Sequence, residues 1–342
     1  MKTNLRSIAA LAMSFLFAAL ATFGQGSVSF ASPTAVTPAL VASTAAPAQA
    51  VDPEKLYHDA WQVIQDNFLH RDRLTDWHKW EHKFDGQLAT EADAVRAINK
   101  MLDTLQEDYT YYKSPSLVQN DKTRTAAKNV VSYKMLPGNV GYIQIRTFSS
   151  ENTAAEVEAA LKALAGAKSY VIDLRGNGGG YVMQACEVFS LFVDQGNFTT
   201  LKGHYKGAAY KEEYVVQTSE LEIIENGNVT KLPRRANLTG SKPVVVLVDA
   251  DSASASEMLT GALQDSGRAT VVGVKTFGKG IAQIAPELPN GGAVRVTFAE
   301  YFLPGGSSIH KKGITPDRIV RRTNAGDSQF AEALKVIDEK LK

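Results

Sequence analysis

Val244-Val245-Val246-Leu247-Val248-Asp249-Ala250-Asp251-Ser252-Ala253-Ser254-Ala255-Ser256-Glu257 runs from an apolar segment through a polar turn into a helix start. The apolar run is short and bounded by turn residues, which reads as a buried strand. Ser254, followed three residues later by Glu257, reads as a capping box that opens a helix from about 254 to 266. The same strand, turn and helix recur upstream: a buried strand at 170–174, a glycine-rich turn at 176–180 and an apolar helix at 181–193. Downstream, strands are expected at 270–274, 279–283 and 293–303. Short strands alternating with helices give an α/β core.

Further out, segments 130–136 and 140–146 flank Pro137-Gly138-Asn139 and read as a hairpin. Thr153 with Glu156 forms a second capping box, for a helix that Gly166 ends. Residues 201–229 look like hairpins inserted into the core, and 328–341 like a closing amphipathic helix. Residues 52 to about 114 read as helical in three segments: 53–67, one beginning near Asp76, and 91 to about 105. Leu56, Ala60, Val63 and Ile64 share one face of the first, and Ala94, Ile98, Met101 and Leu102 face inward on the third. The expected organisation is a helical domain at 51–128, a core at 129–326 and a terminal helix at 327–342.

The first 50 residues differ in character. Lys2 and Arg6 precede an apolar run from Ile8 to Phe23, followed by small residues, which reads as a secretory signal peptide over 1–31. Ala19-Leu20-Ala21, Ser29-Phe30-Ala31 and Ala48-Gln49-Ala50 all offer small residues for cleavage. The run is short for a membrane-spanning helix, so export with cleavage is expected, to a periplasmic, extracellular or other extracytoplasmic compartment. Residues 32–50 are uncharged and rich in Ala, Pro, Thr and Ser, a linker composition. Losing Lys2 and Arg6 turns the formal +1 of the 342-residue chain into about −1, with 35 basic and 36 acidic side chains. That balance excludes a nucleic-acid binder driven by bulk charge. One cysteine, Cys186, excludes an intramolecular disulfide and a cysteine-based zinc cluster, and reads as a buried small apolar residue.

Three groups of residues could carry chemistry. His78-Lys79-Trp80-Glu81-His82 matches H-x-x-E-H; on a helix its histidines could hold one zinc ion with Glu81 as base. The competing reading is a solvated helical face among Lys79, Lys83 and Asp85. The turn Gly176-Asn177-Gly178-Gly179-Gly180 could cradle a cofactor phosphate on the following helix, as in a dehydrogenase or methyltransferase. It fails the G-x-G-x-x-G pattern at Tyr181. The third group pairs Ser254 with Lys279, which lies between two glycines in Thr276-Phe277-Gly278-Lys279-Gly280. Ser–Lys is a recognised nucleophile–base pair. On a strand, Lys279, Ile281 and Gln283 would point the same way, letting Gln283 orient the amine. Ser254 as a helix cap is the competing reading.

Ser252-Ala253-Ser254-Ala255-Ser256-Glu257, Ala262-Leu263-Gln264-Asp265 with Arg268, and Thr276-Phe277-Gly278-Lys279-Gly280 with Gln283 resemble the signature of the C-terminal processing peptidases, also called tail-specific proteases. Asp173-Leu174-Arg175 with Asn177 and Gly179-Gly180, Gly141-Tyr142-Ile143 with Phe148, and Gly313-Ile314-Thr315-Pro316-Asp317 are similar to further family segments, and so are Met101-Leu102, Asp108-Tyr109-Thr110 and Ser114-Pro115. The resemblance implies a crotonase- or caseinolytic-protease-like α/β fold and a serine endopeptidase that needs no metal or cofactor. It makes Ser254 the nucleophile, Lys279 the general base, Gln283 the residue that positions the lysine and Asp265 a supporting acid. The backbone N–H groups of Ala255 and of Gly179 or Gly180 become the oxyanion hole. Its partners would be protein or peptide substrates, with no nucleic acid and no membrane span in the mature chain. Most members insert a PDZ domain of about a hundred residues; only 25 residues run from Pro115 to Asn139, fewer than the ~50 of a small domain. A PDZ-less member is expected, with an adaptor protein or a constitutively open site in its place. The alternative within the same fold is a catalytically silent peptide-binding scaffold, which a serine-reactive probe would leave unlabelled.

Overall fold

The computed structural model describes residues 51–323 and 326–342, so the expected leader and linker at 1–50 lie outside the described residues. The chain begins with α1 (Pro53–Asn67), a single-turn α2 (His78–Glu81), α3 (Glu91–Leu102), β1 (Tyr111–Lys113) and α4 (Pro115–Thr125). It continues through β2 (Val131–Leu136), β3 (Val140–Ile145), α5 (Thr153–Ala163), β4 (Ser169–Asp173) and α6 (Val182–Ser190). A meander follows: β5 (Gly196–Tyr205), β6 (Ala208–Val216), β7 (Glu220–Glu225) and β8 (Asn228–Pro233). The last elements are β9 (Val244–Val248), α7 (Ala255–Asp265), β10 (Thr270–Gly273), β11 (Ile281–Ile284), β12 (Ala293–Phe302), β13 (Arg318–Ile319) and α8 (Ser328–Leu341).

β9 sets the core. All five of its residues are buried, and their side chains alternate between two hydrophobic clusters. Val246 and Val248 pack with Ala255, Met258 and Leu259 of α7, whereas Val245 and Leu247 pack with Ala333, Val336 and Ile337 of α8. A strand covered on both faces needs apolar residues at every position, which is why this stretch lacks polar alternation. β9 sits inside a six-stranded sheet of order β13-β10-β9-β4-β3-β2. Every adjacent pair in this sheet is parallel except β2 with β3. The mixed α/β class read from the sequence is the one observed.

The expected hairpins are the β5–β8 meander. It extends a second sheet, β1-β12-β5-β6-β7-β8, in which β11 also pairs with β12. The N-terminal helices cover this sheet: Leu56, Ala60 and Ile64 of α1 and Ala94, Ile98 and Met101 of α3 share a cluster with Val294 and Val296 of β12. Asp52 starts α1, its Oδ1 accepting from the Glu54 and Lys55 amides at 3.0 and 3.3 Å, with Pro53 in the first turn. The Thr90–Asp93 capping box starts α3. β1 joins this region to the sheet by pairing with β12. The 25 residues from Pro115 to Asn139 are taken up by α4, β2 and the turn before β3.

One expected cap is not made. Asn152, not Thr153, precedes α5; the Thr153 hydroxyl donates to the carbonyls of Ser150 and Thr147 at 2.9 and 3.1 Å. Glu156 is drawn away to accept from the amides of Asn129 and Val131 at 2.7 and 3.0 Å, securing the entry to β2. Among the described residues, no helix is long and apolar enough to cross a membrane.

Candidate active site

The turns after β4 and β9 lie side by side at the carboxyl ends of these adjacent parallel strands, where open α/β sheets build their sites. Buried Asn177 ties them together. Its carbonyl accepts from Ala253 N at 3.0 Å and from Ser256 Oγ at 2.9 Å. Its side-chain Oδ1 accepts from Gly179 N at 2.9 Å. Ser252 Oγ donates to the Leu174 carbonyl at 2.9 Å, and the Gly176 amide donates to Asp249 Oδ1 at the same distance.

Ser254 occupies the junction of turn and helix with φ 57° and ψ −120°. A side chain with a Cβ rarely adopts that conformation, and holding it there costs about 1–3 kcal/mol. Strain of this kind on a strand-to-helix turn projects a serine hydroxyl outward, as in a nucleophile elbow. The glycine turn comes close on the other side: a methyl group on Gly179 would lie 2.8 Å from Ser254 Cβ and 2.9 Å from Ala255 N. Gly179 therefore leaves the room that the serine turn occupies. Gly180, at φ 149°, is pressed against Phe148, whose carbonyl carbon would stand 2.1 Å from an added methyl. The Gly179 N–H is committed to Asn177, whereas those of Gly180 and Ala255 have no acceptor among the described residues.

Glu257 makes the connection that sequence reasoning took only for a helix cap. Its side chain is fully buried. Oε2 accepts from the amides of both Ser254 and Lys279, each at 2.9 Å. Oε1 accepts from Gly278 N at 2.7 Å and from Thr276 Oγ1 at 2.5 Å. One carboxylate thus grips the serine turn and the lysine loop together, and the Ser254 and Lys279 amide nitrogens lie no farther apart than two hydrogen bonds laid end to end. Buried Tyr301 of β12 adds a second tie: its hydroxyl meets the Ser254 carbonyl at 3.2 Å and also the Lys279 carbonyl. Burial pushes the Lys279 amine down to about 8; the Arg295 guanidinium pushes the same way, and Glu107 and Glu257 oppose it. Lys279 Nζ stands over the Tyr109 ring, 4.9 Å from its centroid.

Two residues lie elsewhere than expected. β11 begins only at Ile281, and its register against β12 shifts between Ala282 and Gln283. Such a bulge cancels the simple alternation that would align Gln283 with Lys279. Gln283 Oε1 accepts from Arg295 Nη2 at 2.8 Å, and its amide nitrogen lies 3.3 Å from both Thr297 Oγ1 and the Ile281 carbonyl. Asp265 closes α7, exposed, with Oδ2 accepting from Gly305 N at 2.9 Å. At 1.5 Å per residue the helix carries it roughly 16 Å along its axis from Ser254, so it is not part of the cluster. Arg295, Glu107 and Tyr109 are the neighbours that the sequence reading missed. No spacing marks them, because they come from β12 and the segment before β1.

The arrangement offers a strained serine, a half-buried amine of lowered basicity and two uncommitted backbone donors at helix entries, the parts of an acyl-transfer site. The sequence model of peptidase family S41 matches residues 139–320. Curated relatives include the carboxyl-terminal-processing protease of Picosynechococcus sp., 38% identical over 228 residues, which make up 63% of this chain and 50% of that one. Another is the carboxy-terminal processing protease CtpA of Bacillus subtilis, 38% identical over 197 residues, 57% of this chain and 38% of that one. The chain therefore spans half or less of the length of these relatives. Among solved structures, a photosystem II D1 C-terminal processing protease superposes with a TM-score of 0.61 at 21% identity, covering 80% of this chain and 94% of that one. A lipoprotein from Streptococcus agalactiae gives the same TM-score at 13% identity, over 85% and 98% of the two chains. These two likenesses are of fold.

Proposed function

The chain belongs to peptidase family S41; we propose that it is an exported serine endopeptidase that cleaves in or near the C-terminal regions of extracytoplasmic proteins. The observation that carries this reading is the single Glu257 oxygen bonded to the amides of both Ser254 and Lys279. The names of the curated relatives support the tail-directed specificity, and the leader pattern at 1–31 supports export.

Ser254 Oγ attacks the scissile carbonyl carbon while neutral Lys279 Nζ takes its proton. The resulting ammonium returns that proton to the leaving amine, and an ester to Ser254 remains. Water, deprotonated by Lys279, attacks the ester and releases the new C-terminus. The N–H groups of Ala255 and Gly180 receive the oxyanion, aided by the helix entries on which they sit. Gln283 acts on the lysine through Arg295 instead of by direct contact. Substrate reaches the site without PDZ capture; the helix and strand that occupy Pro115 to Asn139 support this.

A serine-reactive covalent probe and an unstructured polypeptide substrate test the assignment together. The probe is expected on the peptide containing Ser254, with cleavage products appearing in the absence of added metal. A chain that is neither labelled nor active is a silent scaffold, and the proposal falls.

The lowered basicity of Lys279 sets the pH dependence. The base works as the neutral amine, so kcat/KM should climb about tenfold per pH unit below 8 and level off above it. Arg295→Gln removes a charge that disfavours the ammonium, which raises the Lys279 pKa and moves the limb to higher pH. An Arg295→Gln profile superimposable on the parent's would refute the electrostatic role of Arg295.

A further inference from the structure

The His78-to-His82 pattern is left unused by peptidase chemistry, and the structure rearranges it. α2 ends at Glu81, and His82 has already left helical geometry at φ −108° and ψ 13°. The partner of His82 is not His78 but His58 of α1, with Asp85 between them. His82 Nδ1 lies 2.9 Å from Asp85 Oδ2, and His58 Nε2 lies 3.4 Å from Asp85 Oδ1. The two imidazole centroids are 5.5 Å apart. One ligand atom from each residue falls within 4.8 Å of the other two.

We propose that His58, His82 and Asp85 form a site for a divalent transition-metal ion, zinc foremost, that fastens α1 to the 78–85 segment. In a tetrahedral site with nitrogen and oxygen ligands at ~2.0–2.1 Å from zinc, neighbouring ligand atoms stand ~3.3 Å apart. His82 Nδ1 and His58 Nε2 approach the two different oxygens of Asp85, at 2.9 and 3.4 Å. With one ligand atom from each residue within 4.8 Å of the others, the three must draw together by no more than about 1.5 Å to reach that edge. Two imidazoles with one carboxylate is a donor set for zinc and its neighbours, not for calcium or magnesium, which take oxygen. Three protein ligands leave the fourth position to water.

The surroundings fit. When His82 binds through Nδ1, its Nε2–H faces Glu81 Oε1, 3.9 Å away, where a small rotation completes the carboxylate–histidine–metal arrangement that fixes a ligating ring. The nearby lysines are engaged elsewhere: Lys55 with Asp59 at 2.7 Å, Lys79 with Asp76 at 2.6 Å, and Lys83 over the Trp80 ring. The negative charge of Asp85 is therefore directed at the two imidazoles. The side chains of His58, Asp85 and His82 are 34%, 48% and 69% exposed, so an ion enters without any opening of the fold. The site is separate from Ser254 and Lys279 and does not depend on the peptidase reading.

The test is a calorimetric titration of zinc chloride into the chelator-treated full chain, with a thermal melt of the same samples. One zinc per chain is expected, with a rise in melting temperature on saturation. His82→Ala changes an exposed residue and should keep its circular dichroism, yet bind zinc at least about tenfold more weakly and lose the thermal shift. His58→Ala should behave alike, and His78→Ala like the parent. No saturable binding, equal binding by His82→Ala, or a His78→Ala loss as large as that of His82→Ala would each overturn the proposal. Calcium binding as tight as zinc would overturn the assigned metal class.

Discussion

Ser254→Ala should lower kcat/KM on an unstructured polypeptide by about ten-thousand-fold or more, and Lys279→Ala should do the same. Either substitution breaks one cooperative unit, because an undeprotonated hydroxyl and an unaccompanied base are each nearly inert. The loss should come without unfolding. The site grips Ser254 through its backbone, with the amide on Glu257 and the carbonyl on the Glu257 and Met258 amides and the Tyr301 hydroxyl. Circular dichroism should match the parent. Cleavage by either variant within tenfold of the parent would remove Ser254 and Lys279 from the chemistry.

Glu257→Ala should abolish activity and weaken the fold. It leaves four donors facing a void: the amides of Ser254, Gly278 and Lys279 and the Thr276 hydroxyl. Each buried donor left unpaired costs about 1–3 kcal/mol, so a total of about 4 kcal/mol or more is expected even after water enters. In a chain of this size that lowers the melting temperature by roughly 10 °C. Glu257→Gln is not a mild change here. Its amide nitrogen must face donors at one of the two oxygen positions, so it should recover part of the stability and little of the activity. The measurements are a thermal melt and steady-state cleavage of the same samples. A folded Glu257→Ala variant with kcat within threefold of the parent would show that the Ser254 and Lys279 loops hold their alignment without it.

The parts of the fold that were readable in the sequence are those governed by local pattern. The apolar run at Val244 and the closing helix from Ser328 to Leu341 follow from periodicity. The neighbours of Lys279 were not readable in the same way. Gln283 looked aligned with the lysine by strand alternation, and one bulge turned it toward Arg295; a shift of one residue reverses a side chain's face. Asp265 entered only through the family resemblance, and a helix that converts sequence separation into length carries it away from Ser254. Glu257 was seen, with half of its work: the bond to Ser254 N is local, whereas those to Gly278 and Lys279 close a gap of more than twenty residues. The histidine motif misled for the same reason, since its partner His58 lies on another helix.

The strained backbone at Ser254 suggests a practical use. Alanine removes the hydroxyl but retains a Cβ at φ 57°, whereas glycine removes both and adopts that angle freely. Ser254→Gly should therefore melt at a higher temperature than either the parent or Ser254→Ala, with every backbone bond of the turn intact. It would make a durable bait, able to hold a polypeptide it can no longer cut, and peptides recovered from it by mass spectrometry would identify what the enzyme cuts.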